Sequence, residues 1–526
     1  MIYRSPYPDV EIPEVSLHEV VFRHAEKLGD KPALVDGMSG RTLTYAELAG
    51  ATKAVAAGLA KRGYGKGDVL ALYSYNLPEY VVAFHAATLL GGIVTTLNPL
   101  ATAEEAAPQL ADSKTRFVIT APGLVEKAVE AADRAGVEEV FVFGDVPGAS
   151  PLSSLVDPGG EVPHVEINPR EDLAILPYSS GTTGMPKGVM LTHRNLVANL
   201  MQFEEPGTVN PDDVLVCILP MFHIYGLTVL VNAGLAFGTT VVTLPKFELE
   251  HFLKTLQDQR VTYAHLVPPI VLALAKHPMV DNYDLSALHT VFSGAAPLGA
   301  DLARACADRL GCAVRQGYGM TETSPVTHVN SIEISKAKPG SIGHLVPNTE
   351  CRIVSTETGE DIGTGERGEL LIRGPQVMLG YFNNPEATAA TLDADGWLHT
   401  GDVAMVDEEG CFFIVDRVKE LIKFKGFQVA PAELEALLLA HPAVADVAVI
   451  PIPDEEAGEV PKAYIVPRGE VDREALSEQL MAYVAEHVSP YKRIRVVEFV
   501  DQIPKSASGK ILRRVLVERS RSASAQ

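Results

Sequence analysis

Ten consecutive residues, Ser179-Ser180-Gly181-Thr182-Thr183-Gly184-Met185-Pro186-Lys187-Gly188, place hydroxyls, glycines and one lysine in a single short stretch. Glycines let backbone amides approach an anion and adopt positive φ, Ser and Thr hydroxyls donate hydrogen bonds, and the lysine supplies a point charge. The chemistry such a loop serves is the grip of a phosphate. It is not a P-loop, because the G-x-x-x-x-G-K-[ST] spacing is absent. Taken alone, the same stretch also reads as a flexible surface turn, so the elements around it must decide.

Those elements alternate. Residues 46–62 read as a helix, 69–73 as a strand, 79–90 as a helix ended by Gly91-Gly92, and 117–120 as a strand. Alternation of this kind argues for parallel sheets covered by helices on both faces. Residues 147–169 are rich in Pro, Gly and Ser and lead into a strand at 173–177. The phosphate loop follows that strand, which is where a doubly wound sheet binds its ligands. A second α/β region spans 192–322, with strands at 214–219, 240–244 and 290–293. Between 341 and 415 short strands alternate with Gly-rich turns, as at 369–373 and 412–415. Beyond that, a helix starts at Pro431 with Leu434, Leu437 and Leu438 on one face, and another carries Leu476, Leu480, Val484 and Val488. The expected fold is α/β. A large N-terminal domain, 1–416, holds two doubly wound α/β subdomains and a small β-region, and a small C-terminal α+β domain covers 417–526.

Composition bounds what the chain does. With 526 residues, 47% of them hydrophobic, it can bury more than one core. A formal net charge of −23 gives no basic footprint for nucleic acid, so any anion site must be built locally. Five cysteines, Cys217, Cys306, Cys312, Cys351 and Cys411, form no C-x-x-C pair and read as reduced core thiols. The first residues lack an apolar signal region, and a cytoplasmic protein is expected. Residues 221–245 contain no Asp, Glu, Lys or Arg and are long enough to cross a bilayer. Their glycines, threonines and Asn232 suit a buried helix running into a buried strand better.

Four further motifs follow the loop in order: Gly317-Tyr318-Gly319-Met320-Thr321-Glu322, Thr400-Gly401-Asp402, Val415-Asp416-Arg417-Val418-Lys419-Glu420, and Pro504-Lys505-Ser506-Ala507-Ser508-Gly509-Lys510. With the loop, this series resembles the adenylate-forming superfamily of acyl-CoA synthetases, adenylation domains and luciferases over residues 17–516. The run from Ile422 to Glu435 looks most like the 4-coumarate:CoA ligase branch. The resemblance implies a two-step reaction on ATP, Mg²⁺ and coenzyme A. A carboxylate attacks the α-phosphorus, pyrophosphate leaves, and the coenzyme A thiolate then displaces AMP. Such transfer depends on positioning and on cancelling charge.

Residue by residue, the resemblance gives Lys510 the bridge between attacking carboxylate and α-phosphate, Thr321 a donor to that phosphate, and Glu322 the Mg²⁺ ligand. Ser179, Ser180, Gly181, Thr182, Thr183, Gly184 and Lys187 hold the phosphates. Gly294, Ala295, Ala296 and Pro297 face Tyr318 across the adenine, with Gly317, Gly319 and Met320 beside it. Asp402 accepts the ribose hydroxyls, and Arg417 makes a second ribose or phosphate contact. Lys419 falls where the family has its hinge, so the small domain is expected to be mobile. Its rotation would replace Lys510 by Lys425-Gly426-Phe427, lining a pantetheine tunnel, with Lys423 and Gln428 near the acyl adenylate.

The acid is read from a smaller set. Amino-acid adenylation domains carry an Asp in the segment that here reads Phe222-His223-Ile224-Tyr225, so His223 argues against amino acids and matches an aromatic gate with a catalytic part. Tyr225, Gly317, Gly319, Pro325 and Val326 match a pocket for a planar phenylpropenoid. Plant 4-coumarate ligases have a Lys where this chain has Phe292, and losing that polar partner is expected to relax the demand for a 4-hydroxyl. The expected enzyme is an AMP-forming ligase for a cinnamate or 4-coumarate type acid. The alternatives are a medium- or long-chain fatty acyl-CoA synthetase, a stand-alone protein loading a carrier, and a luciferase-like mono-oxygenase. Neither nucleic acid nor membrane is an expected partner. The Pro504-x-x-x-x-Gly509-Lys510 pattern also resembles a motif read by protein acetyltransferases, which would remove the charge of Lys510.

Overall fold

Two nine-stranded sheets, counted among the described residues, carry the N-terminal part of the chain. The computed structural model describes residues 1–179, 186–204, 209–330, 338–425, 427–454, 457–506 and 509–524, with side chains omitted at 427, 428, 523 and 524. In the first sheet Leu173–Ile175, Ile93–Thr96, Val69–Tyr73, Thr115–Thr120 and Glu139–Val142 run parallel in that spatial order. Every residue of Val69–Tyr73 is buried, which is why that strand is apolar throughout rather than alternating. Helix Tyr45–Lys61 begins at a reciprocal cap between Thr44 and Glu47. Its Gly58 meets Leu155 so closely that an added Cβ would lie 1.7 Å from the carbonyl oxygen.

The edge of this sheet positions the chemistry. Strand Lys187–Thr192 pairs antiparallel with Leu173–Ile175, Tyr178–Ser179 and Gly380–Tyr381, setting Ser179 opposite Lys187 and Val189 opposite Tyr381. The loop expected to hold phosphate connects the paired strands Tyr178–Ser179 and Lys187–Thr192. Its residues Ser180, Gly181, Thr182, Thr183 and Gly184 lie outside the described residues.

The second sheet has a parallel centre of Ala313–Gly319, Thr290–Ser293, Tyr263–Leu266, Val214–Cys217 and Thr240–Thr243. It is not confined to residues 192–322. Pro32–Asp36 joins in parallel beside Thr240–Thr243, and Thr42–Thr44 closes that edge. The segment 221–245 folds as a π-helical stretch Tyr225–Asn232, a helix Ala233–Ala236 and the strand Thr240–Thr243. No helix among the described residues is long and apolar enough to cross a membrane.

A five-stranded antiparallel sheet follows, in the order Tyr3–Arg4, Glu350–Val354, Gly368–Arg373, Leu398–Val406, Phe412–Arg417. The expected boundary at 416/417 falls within its last strand, where Arg417 pairs with Asp402. The last sheet comprises Phe427–Val429, Ile422–Phe424, Gly458–Pro467 and Val444–Asp454, with Val496–Phe499 parallel to Gly458–Pro467. Its core gathers Leu434 and Leu438 of helix Pro431–Ala440 with Leu476, Leu480 and Val484 of helix Arg473–His487. All five cysteines are free.

Candidate active site

Glu322 is 6% exposed, in the middle of the short turn Thr321–Thr323 that follows strand Ala313–Gly319. Its Oε1 accepts the Ser179 hydroxyl at 3.0 Å and the Tyr381 hydroxyl at 2.9 Å. The Lys187 ammonium lies 4.3 Å from the centre of the Tyr381 ring. One carboxylate is therefore held by the phosphate-loop strand and by its neighbour in the sheet. Thr321 shares the same short turn, and the Met320 N–H donates to the Pro325 carbonyl at 3.0 Å.

Among the described residues the hydrogen bonds to this carboxylate fall on Oε1, leaving Oε2 for a hard cation. No group of three or more potential side-chain ligands occurs among them. That donor set fits Mg²⁺, which keeps its waters and substrate phosphates and needs only one or two carboxylates.

A second carboxylate, that of Asp402, is also buried. Asp402 is 7% exposed, accepts the Tyr318 hydroxyl at 2.5 Å and pairs with Arg417 at 3.3 Å. Burial raises its pKa, with Arg417 and Tyr318 opposing. The aromatic ring assigned to the adenine wall is thereby tied to the carboxylate assigned to ribose. Gly294, Ala295, Ala296 and Pro297 leave strand Thr290–Ser293 in a bend where Ala295 takes φ +68°. A Cβ on Gly294 would lie 2.8 Å from the Tyr225 ring.

Lys510 comes from the C-terminal region, beside the isolated pairing of Lys505 with Ile511. Its N–H donates to the Ser506 hydroxyl at 3.1 Å, and the Ser506 N–H returns a bond to the Lys510 carbonyl at 2.8 Å. Gly509, at φ +80°, packs against Val267 and Pro269. Burial and then the Arg417 charge lower the Lys510 pKa, while Asp402, Glu322 and Glu420 raise it. Both carboxylates thus act on the same buried ammonium. Lys423 and Lys425, by contrast, are exposed on the hairpin of Ile422–Phe424 and Phe427–Val429, and Lys419 is exposed as well. Gly426 and the Gln428 side chain lie outside the described residues.

The connection to that region is polar. Arg513 binds Glu420 at 2.6 Å and both oxygens of Glu435 at 2.8 and 2.6 Å. Asp416 accepts the Ala432 N–H at 3.0 Å, at the start of helix Pro431–Ala440, and burial pushes its pKa up to about 6 against the pull of Arg513.

The residues assigned to the acid also converge. Tyr225 and Phe292 are buried, and a Cβ on Gly317 would lie 2.7 Å from Phe292 Cζ. On Gly319 it would lie 1.9 Å from the Pro325 carbonyl, so only bare backbone fits at either position. Val326 is fixed by its N–H bond to Asn199 Oδ1 at 3.0 Å. His223 accepts the Tyr225 N–H at 3.2 Å on Nδ1, and burial, with Lys510 adding, pushes its pKa down to about 3.

Spacing along the chain did not reveal Tyr381, because only the sheet brings it to Glu322. Tyr381→Phe is expected to lower acid-dependent pyrophosphate release about tenfold, or about 1.4 kcal/mol, the scale of one hydrogen bond to a charged group. The Phe ring keeps the stack under Lys187, so an unchanged rate would mean that the hydroxyl does not position Glu322.

Residues 21–382 match the AMP-binding enzyme family, and residues 433–510 match the AMP-binding enzyme C-terminal domain. The chain is 45% identical to 4-coumarate–CoA ligase 1 of Petroselinum crispum, covering 98% of this chain and 96% of the relative. It is 45% identical to 4-coumarate–CoA ligase of Pinus taeda, over 98% and 97%. Among solved structures, an anthranilate CoA ligase in complex with anthranoyl-AMP superposes with a TM-score of 0.90 at 27% identity, over 98% of this chain and 99% of that one. A benzoate CoA ligase from Burkholderia xenovorans LB400 gives a TM-score of 0.87 at 26% identity, over 96% and 100%. The family match over residues 21–382 and the near full-length similarity lead to one conclusion: the chain belongs to the AMP-binding family of adenylate-forming enzymes, among the acid:CoA ligases.

Proposed function

We propose that this ligase activates an aryl-propenoic acid of the cinnamate or 4-coumarate type as its acyl adenylate and transfers it to coenzyme A. The observation that carries the acid class is the wall formed by Tyr225, Phe292, Val326 and the bare backbone of Gly317 and Gly319. Two aromatic rings and side-chain-free backbone suit a flat ring better than a flexible chain.

In the first step Lys510 neutralises charge between the attacking carboxylate and the α-phosphate, with Thr321 donating to the same phosphate. Ser179 and Tyr381 hold Glu322, the residue that would hold Mg²⁺, which when bound would supply charge cancellation on the phosphates. Asp402, steadied by Tyr318 and Arg417, takes the ribose hydroxyls. His223 stays neutral and gates the acid. In the second step the small domain turns about the Asp416–Lys419 segment, withdraws Lys510 and brings in the hairpin carrying Lys423, Lys425 and Gly426.

A panel of acids scored by CoA-dependent AMP release tests this reading. Cinnamate or 4-coumarate is expected to exceed octanoate in kcat/KM, with no added carrier protein. Turnover of octanoate with rejection of both aryl acids would replace it with the fatty-acid alternative.

A further inference from the structure

Tyr318 is held at its ring as well as at its hydroxyl. In the antiparallel pairing of strands Ala313–Gly319 and Val326–Val329, His328 stands directly opposite Tyr318, so the two side chains share one face of the sheet. Their rings meet close to edge-on, 5.8 Å apart at 65°, a geometry in which an aromatic pair attracts beyond its area of contact. His328 is fully buried. It also packs on Phe412 of the five-stranded sheet, 4.7 Å away, and Phe412 in turn meets Tyr3 of the first strand at 5.8 Å. The ring Nδ1 shares a hydrogen bond with the Thr327 hydroxyl at 2.9 Å, while Nε2 has no partner among the described residues. Burial, with the His344 charge adding, pushes the His328 pKa down to about 3, so the ring stays neutral. An apolar side chain would fill this space without leaving a buried nitrogen unpaired. The imidazole instead combines a flat ring with an anchor that sets its plane.

We infer that His328 is a positioning residue for the nucleotide, which fixes the plane of the Tyr318 ring on which adenine stacks. The inference rests on the assignment of Tyr318 to the adenine wall. A tyrosine fixed at Cβ by its strand and at its hydroxyl by Asp402, 2.5 Å away, can still turn about the axis joining those two points. That turn changes the face offered to adenine, and an edge-on neighbour blocks it. With no exposed surface of its own, His328 acts through Tyr318 and not on ATP.

The test measures KM for ATP, acid and coenzyme A in the full-length enzyme, in His328→Ala, His328→Asn and His328→Phe, and in Tyr318→Ala. Inhibition by tripolyphosphate, which carries the phosphates without the adenine, is measured alongside. Losing the aromatic pair in His328→Ala should raise KM for ATP about fivefold and leave the other constants within about twofold of wild type. His328→Asn keeps a partner for Thr327 but no ring, and should behave like His328→Ala. His328→Phe keeps a ring and should recover most of the ATP affinity. If the larger Phe prevents folding, the comparison of ATP with tripolyphosphate in His328→Ala decides alone. An ATP KM raised in Tyr318→Ala but unchanged in His328→Ala overturns the role of His328. So does tripolyphosphate inhibition weakened as much as ATP binding, or rescue by Asn and not by Phe. An unchanged KM for ATP in Tyr318→Ala overturns the adenine-wall assignment as well.

Discussion

Lys510→Ala is expected to lose acid-dependent pyrophosphate release by about 10²-fold or more, the scale of removing one preorganised charge-stabilising donor, yet still convert supplied acyl adenylate and coenzyme A to thioester. The split follows from where the lysine sits. Its ammonium feels Asp402 and Glu322, the carboxylates assigned to ribose and Mg²⁺, and burial holds its pKa below the ordinary lysine range. A charge held there at a desolvation cost acts on the phosphate step, and removing it relieves that cost rather than unfolding the protein. Lys510→Arg should not rescue the rate, because a planar guanidinium does not place one compact charge between two oxygens. The check measures the two half-reactions separately, by pyrophosphate release and by thioester formation from synthetic adenylate. Equal loss in both would show that Lys510 also serves the second step, or that the small domain does not exchange its two faces.

Acid should destabilise the protein well above the carboxylate range, through histidines that fold neutral. His85, His193, His265 and His328 are all buried, and burial pushes each pKa down to about 3. In the unfolded chain each titrates near 6.5. Between these values the unfolded state binds more protons, so stability falls as the pH drops below about 6.5 and continues to fall until about 3. At pH 5 each histidine costs about 2 kcal/mol. Asp416 has the opposite sign. Its pKa is raised to about 6, so the folded state binds its proton first and regains about 1.4 kcal/mol at pH 5. Asp402 and Glu435, also raised by burial, act in the same direction as Asp416. The histidines outnumber these groups, and the net loss is a large part of the total for a protein whose stability is about 5–15 kcal/mol. Urea unfolding followed through Trp397, the one tryptophan in the chain, should show a midpoint that drops steeply between pH 7 and pH 5. A flat midpoint over that interval would mean that these imidazoles are reached by water, or find partners when protonated.

Local features of the chain determined what local physics controls. The strands at 69–73 and 290–293 occur at those residues because a run of β-branched and apolar side chains suits a strand buried on both faces. The helix expected from Pro431 begins there because proline lacks the N–H that a first turn leaves unpaired. Glycines 294, 317 and 319 are legible for the same reason, since the space that excludes a Cβ is felt by the backbone itself. The resemblance carried by the motif order assigns Glu322, Asp402 and Lys510 to one reaction, and both carboxylates raise the Lys510 pKa.

What the sequence alone left undecided depends on contacts between distant segments. Tyr381 reaches Glu322 only because Gly380–Tyr381 adds to the edge of the strand carrying Lys187. Residues 32–44 belong to the second sheet although they precede the first, and the 416/417 boundary falls inside a strand held by its pairing with Asp402. His265 is an ordinary strand residue by spacing, and only tertiary packing brings its Nδ1 to the Tyr225 hydroxyl. Strand pairing and burial are set by which surfaces meet once the chain has closed loops of tens to hundreds of residues. Loop closure costs little more for a long loop than for a short one, so neighbours in space need not be neighbours in sequence.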